Sequence, residues 1–251
     1  RSDLVISGSN FIFEHVYQNY EDFFENKKRK FLVIFRGINT DFFSQKKINQ
    51  NKLQNLIKKW NIDKTKFIIL LPGRLTPWKG QEVFIEALNI LNQQSDVRPF
   101  FVIIAGSDQG RKVYSKRLES LVEKYRLNRN LIFVSQCKEM PIAYQISDVV
   151  VSSSIEPEAF GRVSVEAQSM EKPIVASNIG GSKETIINNK TGFLFEAGNA
   201  KALAEKLKET MNLGQMTLQS IGIEGRKNVL KKFDIDRMCF ATFSEYKKLV
   251  E

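Results

Sequence analysis

The sequence predicts an α/β fold, a parallel sheet with helices on both faces, and three observations carry that expectation. From Phe67 onward, short continuous apolar runs alternate with longer amphipathic stretches, the rhythm of β-α-β units. The runs at Phe67–Leu71, Phe100–Ala105, Leu131–Val134, Val149–Ser152, Pro173–Ala176 and Gly192–Phe195 lack the polar alternation of half-exposed strands and read as strands buried on both faces. The stretches between them carry helical spacing, as with Val163, Ala167 and Met170 on one stripe. In such sheets ligands gather at the carboxyl ends of the strands, so the chemistry belongs in the loops that follow them.

In order, Asp3–Ser7 reads as a short strand and Asn10–Glu25 as a helix. Phe31–Phe35 is a second buried strand, closed by Arg36–Asp41, where Gly37 and Asn39 are turn residues. Ser44–Lys52, rich in Lys, Asn and Gln, reads as a linker or boundary. Helices are expected at Gln81–Gln93, Val113–Tyr125, Met140–Ile146, Val163–Met170 and Ser182–Asn188. The tail Ala200–Leu249 is helical, with breaks near Gly214 and Phe233.

Of the 251 residues, 42% are hydrophobic and 26% charged, as in an ordinary globular protein. No apolar run reaches the ~20 residues that span a bilayer. One histidine, His15, and two distant cysteines, Cys137 and Cys239, offer no zinc-ligand spacing and point to a reducing, cytoplasmic compartment. The net charge of +10 comes mostly from scattered lysine pairs, with one run at Lys27–Lys30. This reads first as a solvated surface and second as attraction toward an anionic membrane face or acidic substrate. Without interleaved aromatic and basic residues, nucleic acid is not an expected partner.

The stretch Ile155–Ala167 joins a buried strand to a helix and carries Glu158 and Glu166 on either side of the junction. Gly161 lets a ligand approach the backbone at the helix start, where the amides of Arg162 and Val163 favour an anion. Eight positions apart, the glutamates would lie about 12 Å apart along a helix axis. That is too far to flank one glycosidic bond and suits two ends of an elongated ligand. The plainer reading makes Glu158 a loop charge and Glu166 a glutamate favoured by the helix dipole. Gly73–Gly80 adds Arg74 and Lys79 between glycines, a fork and a point charge able to grip a diphosphate; its glycine spacing is neither a Walker loop nor a dinucleotide fingerprint. Val134–Cys137 ends the next strand but one, where backbone groups around Gln136 would read a base edge. Asn178–Glu184 brings a glutamate, with Ser182 as helix cap. Asp234-Ile-Asp236 has metal-binding spacing, but at a helix start it reads as a cap.

These residues resemble the retaining family 4 glycosyltransferases (glycosyl transferases group 1) of the two-domain GT-B fold. Glu158-Ala-Phe-Gly161 with Glu166-Ala167 is similar to that family's Glu-x7-Glu motif, and Gly73-Arg74 with Lys79-Gly80 to its donor-phosphate loop. Gly180-Gly181 with Glu184, then Thr191-Gly192, follow its later pattern. The resemblance implies a Rossmann-like sheet, the C-terminal half of a GT-B fold. It divides the chain into residues 1–45, a remnant of the N-terminal acceptor domain and linker; 46–233, the nucleotide-sugar donor domain; and 234–251, a C-terminal helix. Most of the acceptor domain would be absent, leaving a fragment inactive alone. Arg36 departs from the family, which usually has Asn there.

The resemblance further implies that Arg74, Lys79 and Glu158 are catalytic. The cations would hold the leaving diphosphate and Glu158 the transferred sugar. Donor contacts would come from Gly73, Gly80, Gln136, Phe160, Gly161, Arg162, Val163 and Glu166, the last on the ribose. No metal or other cofactor is expected. The partners are a nucleotide-sugar donor and a glycan or lipid-linked acceptor, at a cytoplasmic location with peripheral contact to an anionic membrane. The Lys-, Asn-, Ile- and Phe-rich composition is consistent with an AT-rich, bacterial genome, and together with the resemblance this makes envelope polysaccharide synthesis the expected setting. Two alternatives stay open, a nucleotide-sugar isomerase on the same fold and a non-catalytic basic binding module.

Overall fold

The structure, a computed structural model, describes residues 3–20, 30–135 and 137–250. The later part of the expected first helix, Lys27–Arg29 of the basic run, and Gln136 lie outside the described residues. The first described elements are β1 (Leu4–Ser7), α1 (Asn10–Asn19) and β2 (Lys30–Val33), with β1 and β2 a parallel pair.

A six-stranded, all-parallel sheet follows, built from β3 (Phe67–Pro72), β4 (Phe100–Ala105), β5 (Leu131–Val134), β6 (Val149–Ser152), β7 (Ile174–Ser177) and β8 (Phe193–Phe195) in the order β5-β4-β3-β6-β7-β8. Every expected strand of this sheet is present within a residue at each end. The helices are α2 (Gln50–Lys59), α3 (Gln81–Asn92), α4 (Lys112–Lys124), α5 (Met140–Ile146), α6 (Arg162–Ser169), α7 (Ser182–Thr185), α8 (Ala200–Asn212), α9 (Gln215–Lys232) and α10 (Ile235–Val250).

Alternation along β3 feeds two cores. Phe67, Ile69 and Leu71 pack with Phe84 and Leu88 of α3, Leu118 of α4 and Leu203 of α8. Ile68 and Leu70 pack with Leu53 and Ile57 of α2, Tyr144 of α5, Val165 of α6 and Val229 of α9. Strands buried on both faces must be apolar throughout, which is why their sequence reads as continuous runs.

Two expectations are corrected. Ser44–Lys52 is not wholly a linker: α2 begins at Gln50, capped by Asn49 Oδ1 accepting from the Lys52 amide at 3.1 Å. Its polar sequence hid a narrow apolar stripe, Leu53 and Ile57, that only the sheet makes useful. The helix expected at Ser182–Asn188 stops at Thr185, because the Ile187 amide turns to Thr191 Oγ1 at 2.9 Å.

A buried polar network holds α6 in place. Asn228 Nδ2 of α9 donates to Gln168 Oε1 at 3.1 Å, while Gln168 Nε2 donates to the carbonyls of Ser164 and Thr185 at 3.1 and 2.9 Å. Burial also acts on two phenols. Tyr114 is pushed up to about 12, mainly by desolvation and then by the Glu82 charge. Tyr144 is raised well above the usual phenol range, first by desolvation and then by Glu166. The native state then holds protons that the unfolded chain releases above pH ~10, so stability falls as pH rises from about 10 through about 12. In an alkaline absorbance titration, two of the six tyrosines should ionise late and with unfolding. A single phase near pH 10 would contradict this.

Candidate functional site

Strand order reverses between β3 and β6. The chain runs outward from β3 to β5 and then returns to β6 on the other side, and such a switch point opens a crevice at the strands' carboxyl ends. Here the loop Gly73–Gly80 after β3 faces the segment Ser153–Gly161 after β6. Ser153 Oγ donates to the carbonyls of Lys79 and Gly80 at 3.1 and 3.0 Å, and the Ile155 amide to the Trp78 carbonyl at 2.8 Å. Gly80 makes this approach feasible: it is left-handed at φ 68°, and a Cβ there would overlap the Ser153 carbonyl oxygen.

The clamp brings two sequence-distant charges together. Lys79 Nζ lies 2.7 Å from Glu158 Oε1, and each side chain is only 12% exposed. The same oxygen accepts from Ser154 Oγ at 2.6 Å. Trp78 supports both cations, with Lys79 Nζ 4.5 Å and the Arg74 guanidinium 5.8 Å from the ring centroid, a favourable placement over the ring's negative face. Arg74 is exposed, its backbone carbonyl held by Gln81 Nε2 at 2.8 Å.

Beyond Glu158 the chain turns at Gly161, φ 78°, which caps α6 without a side chain and keeps the helix end open. The amides of Arg162 and Val163 donate to no carbonyl among the described residues, so they are available to an anion. One turn into α6, Glu166 is buried. Its Oε2 accepts from the Tyr144 hydroxyl at 2.8 Å and its Oε1 from Arg162 Nε at 2.7 Å. A recess of about 300 Å³ next to this helix start is lined in part by Arg36, Phe42, Phe160 and Arg162. Chemically the crevice offers exposed and half-buried cations, open amides and two oriented carboxylates, a set suited to an anion carrying hydroxyl groups.

Of the residues singled out in the sequence, Gly73, Arg74, Lys79, Gly80, Glu158, Phe160, Gly161, Arg162, Val163 and Glu166 fall on the two facing segments and the start of α6. The Phe160 ring is buried edge-on against Phe233, centroids 5.6 Å apart, so backbone is most of what it presents. Ser182 does not cap α7: the cap is Gly181, with no side-chain bond. Glu184 turns outward and caps α1 instead, accepting from the amides of Asn10 and Phe11 at 2.9 and 2.7 Å. Asp234 does act as a cap, accepting from the Asp236 amide at 2.9 Å. Among the described residues, no three His, Cys, Asp or Glu side chains gather as metal ligands, and no helix is long and apolar enough to cross a membrane.

Sequence reasoning missed Tyr144, Ser153, Ser154 and Trp78. The serines carried a faint signal, two hydroxyls directly after a buried strand that itself ends on Ser152. Tyr144 carried none, since a tyrosine in an apolar helix reads as core.

Residues 52–228 match the family described as glycosyl transferases group 1. The chain is 29% identical over 209 residues to the capsular polysaccharide biosynthesis glycosyltransferase CapM of Staphylococcus aureus, covering 82% of this chain and 52% of that protein. Against the spore coat protein SA of Bacillus subtilis, identity is 30% over 189 residues, 73% of this chain and 49% of that one. The chain thus spans about half the length of these relatives. Among solved structures, a glycosyltransferase from Rickettsia africae ESF-5 superposes with a TM-score of 0.92 at 34% identity, over 99% of this chain and 64% of that one. Anabaena Alr3699/HepE, crystallised with UDP and glucose, shares the fold with a TM-score of 0.81 at 23% identity, over 98% of this chain and 64% of that one.

Proposed function

The chain belongs to the glycosyl transferases group 1 family, and from that premise we propose that it binds a nucleotide-diphosphate sugar and forms the donor half of a sugar transfer that retains anomeric configuration. The observation that supports this reading is the pairing of Lys79, from the loop after β3, with Glu158, from the segment after β6, just ahead of a helix start whose amides at Arg162 and Val163 have no carbonyl partner among the described residues and whose Glu166 is held by Arg162. The HepE complex with UDP and glucose supports a nucleotide sugar as the ligand class.

In this reading the diphosphate lies between the cations and the α6 amides. As the sugar–phosphate bond breaks, charge builds on the departing diphosphate. A preorganised guanidinium and ammonium stabilise that charge most where water is excluded. Lys79 is held ready by Glu158 and transfers part of its hydrogen bonding to phosphate, while Glu158, fixed by Ser154, meets the sugar. Glu166 accepts from the ribose hydroxyls. No metal is required, because Arg74 and Lys79 supply the positive charge. The acceptor is a glycan or lipid-linked sugar brought by a further domain, and the setting is the cytoplasmic face of a membrane, toward which the +10 net charge draws the protein.

The test is thermal unfolding with UDP, GDP, ADP or dTDP, each with and without magnesium. A ligand at ~100 times its dissociation constant adds about 2.7 kcal/mol, or about 5–10 °C for a chain of this size. One nucleotide should give that shift with or without magnesium. A shift that requires magnesium would overturn the metal-free site. No shift with any of the four, here and in a polypeptide of its relatives' full length, would overturn the donor reading.

A further inference from the structure

We propose that Tyr144 is a positioning residue that holds Glu166 for the ribose and thereby sets a preference for ribonucleotides over 2′-deoxyribonucleotides. The proposal rests on the donor-site reading above and deepens it.

The two oxygens of Glu166 are held in opposite ways. Oε2 accepts from the hydroxyl of Tyr144, a fully buried side chain. The Tyr144 ring packs edge-on against Phe43, centroids 6.0 Å apart. The Phe43 carbonyl is itself gripped by Ser169 Oγ at 2.8 Å and Arg226 Nη1 at 3.0 Å, so ring and hydroxyl have little room to move. Oε1 accepts from Arg162, whose side chain is 68% exposed although the carboxylate is 9% exposed, so the long guanidinium side chain can swing into water and leave that oxygen to another donor.

One carboxylate oxygen is therefore fixed by the core, and the other is covered by a replaceable donor. A ribose diol presents two O–H donors. It can displace the guanidinium from Oε1 and use the remaining lone pair of Oε2 without disturbing the tyrosine bond. Without the phenol, the carboxylate would be free to rotate toward Arg162, and a buried acceptor would lose a charge-assisted bond. A site built to bind a hydroxyl rejects the analogue lacking it only if its own polar groups stay in place.

The experiment measures affinity for UDP, GDP or ADP, whichever the unfolding panel selects, for its 2′-deoxy counterpart, and for inorganic pyrophosphate. Tyr144→Phe keeps the ring and removes the hydroxyl. It should weaken the ribonucleotide on the order of tenfold, the scale of one lost bond to a charged group. The deoxynucleotide should weaken much less and pyrophosphate not at all, so the ribo-to-deoxy ratio collapses toward one. Equal weakening of all three probes would make Tyr144 a packing residue only and overturn the proposal. Glu166→Gln separates the two readings. If it leaves the ratio intact, ribose is not at Glu166 and the donor assignment fails. If it collapses the ratio while Tyr144→Phe does not, the donor assignment stands and the role of Tyr144 falls. Should Tyr144→Phe not fold, Arg162→Ala decides: the ratio is expected to survive, because in that variant the tyrosine still holds Oε2, and its loss would overturn the proposal.

Discussion

Lys79→Met is expected to lose stability and diphosphate binding together. Lys79 and Glu158 are each 12% exposed and 2.7 Å apart. Removing the ammonium leaves a mostly buried carboxylate whose remaining side-chain partner among the described residues is Ser154. Breaking such a pair from one side costs about 3–5 kcal/mol, whereas removing both charges costs far less. The single variant should therefore melt about 6–20 °C lower, and Lys79→Met/Glu158→Gln should recover most of that loss. Affinity for pyrophosphate should be lost in the single and double variants alike, because the phosphate-facing cation is gone from both. A double variant no more stable than the single would sink the claim that the unpaired charge causes the loss. Retained pyrophosphate affinity would remove Lys79 from the proposed phosphate site.

Gly80→Ala should be nearly as damaging, through the backbone alone. At φ 68° an alanine accepts a strained conformation, and its Cβ would overlap the Ser153 carbonyl oxygen and lie 2.9 Å from the carbonyl carbon. Left-handed strain of about 1–2 kcal/mol adds to overpacking of about 1–3 kcal/mol, for a loss of about 2–5 kcal/mol in urea unfolding. Gly198 is the control: it has φ 77° with open space where a Cβ would go, so Gly198→Ala should show only the strain component. Equal losses at the two sites would mean that the contact between the β3 loop and Ser153 is not tight. Since Gly80 also opens α3 beside Lys79, any shift that relieves the overlap moves the proposed phosphate loop, and nucleotide affinity should fall with stability.

The parallel sheet was legible because a strand buried on both faces must be apolar at every position; β4, β5 and β6 occupy the residues their apolar runs mark out. The two motif segments were legible for a related reason: glycines, cations and carboxylates at element junctions announce backbone and charge placed for a ligand. The polar helix α2 was not legible, since its stripe of Leu53 and Ile57 acquires meaning only against the sheet. Nor was the outward turn of Glu184, whose partners Asn10 and Phe11 lie far away in sequence.

By itself the sequence determined the kind of fold and the loops at the strands' carboxyl ends that carry its glycines, cations and carboxylates, because periodicity and junction chemistry are local. Only the tertiary structure decided which of those residues hold one another. The strand order that sets β3 beside β6, the pairing of Lys79 with Glu158, and the buried phenol on Glu166 all join segments distant along the chain. Such contacts follow from how two cores close on the opposite faces of one sheet, and no local pattern of residues encodes them.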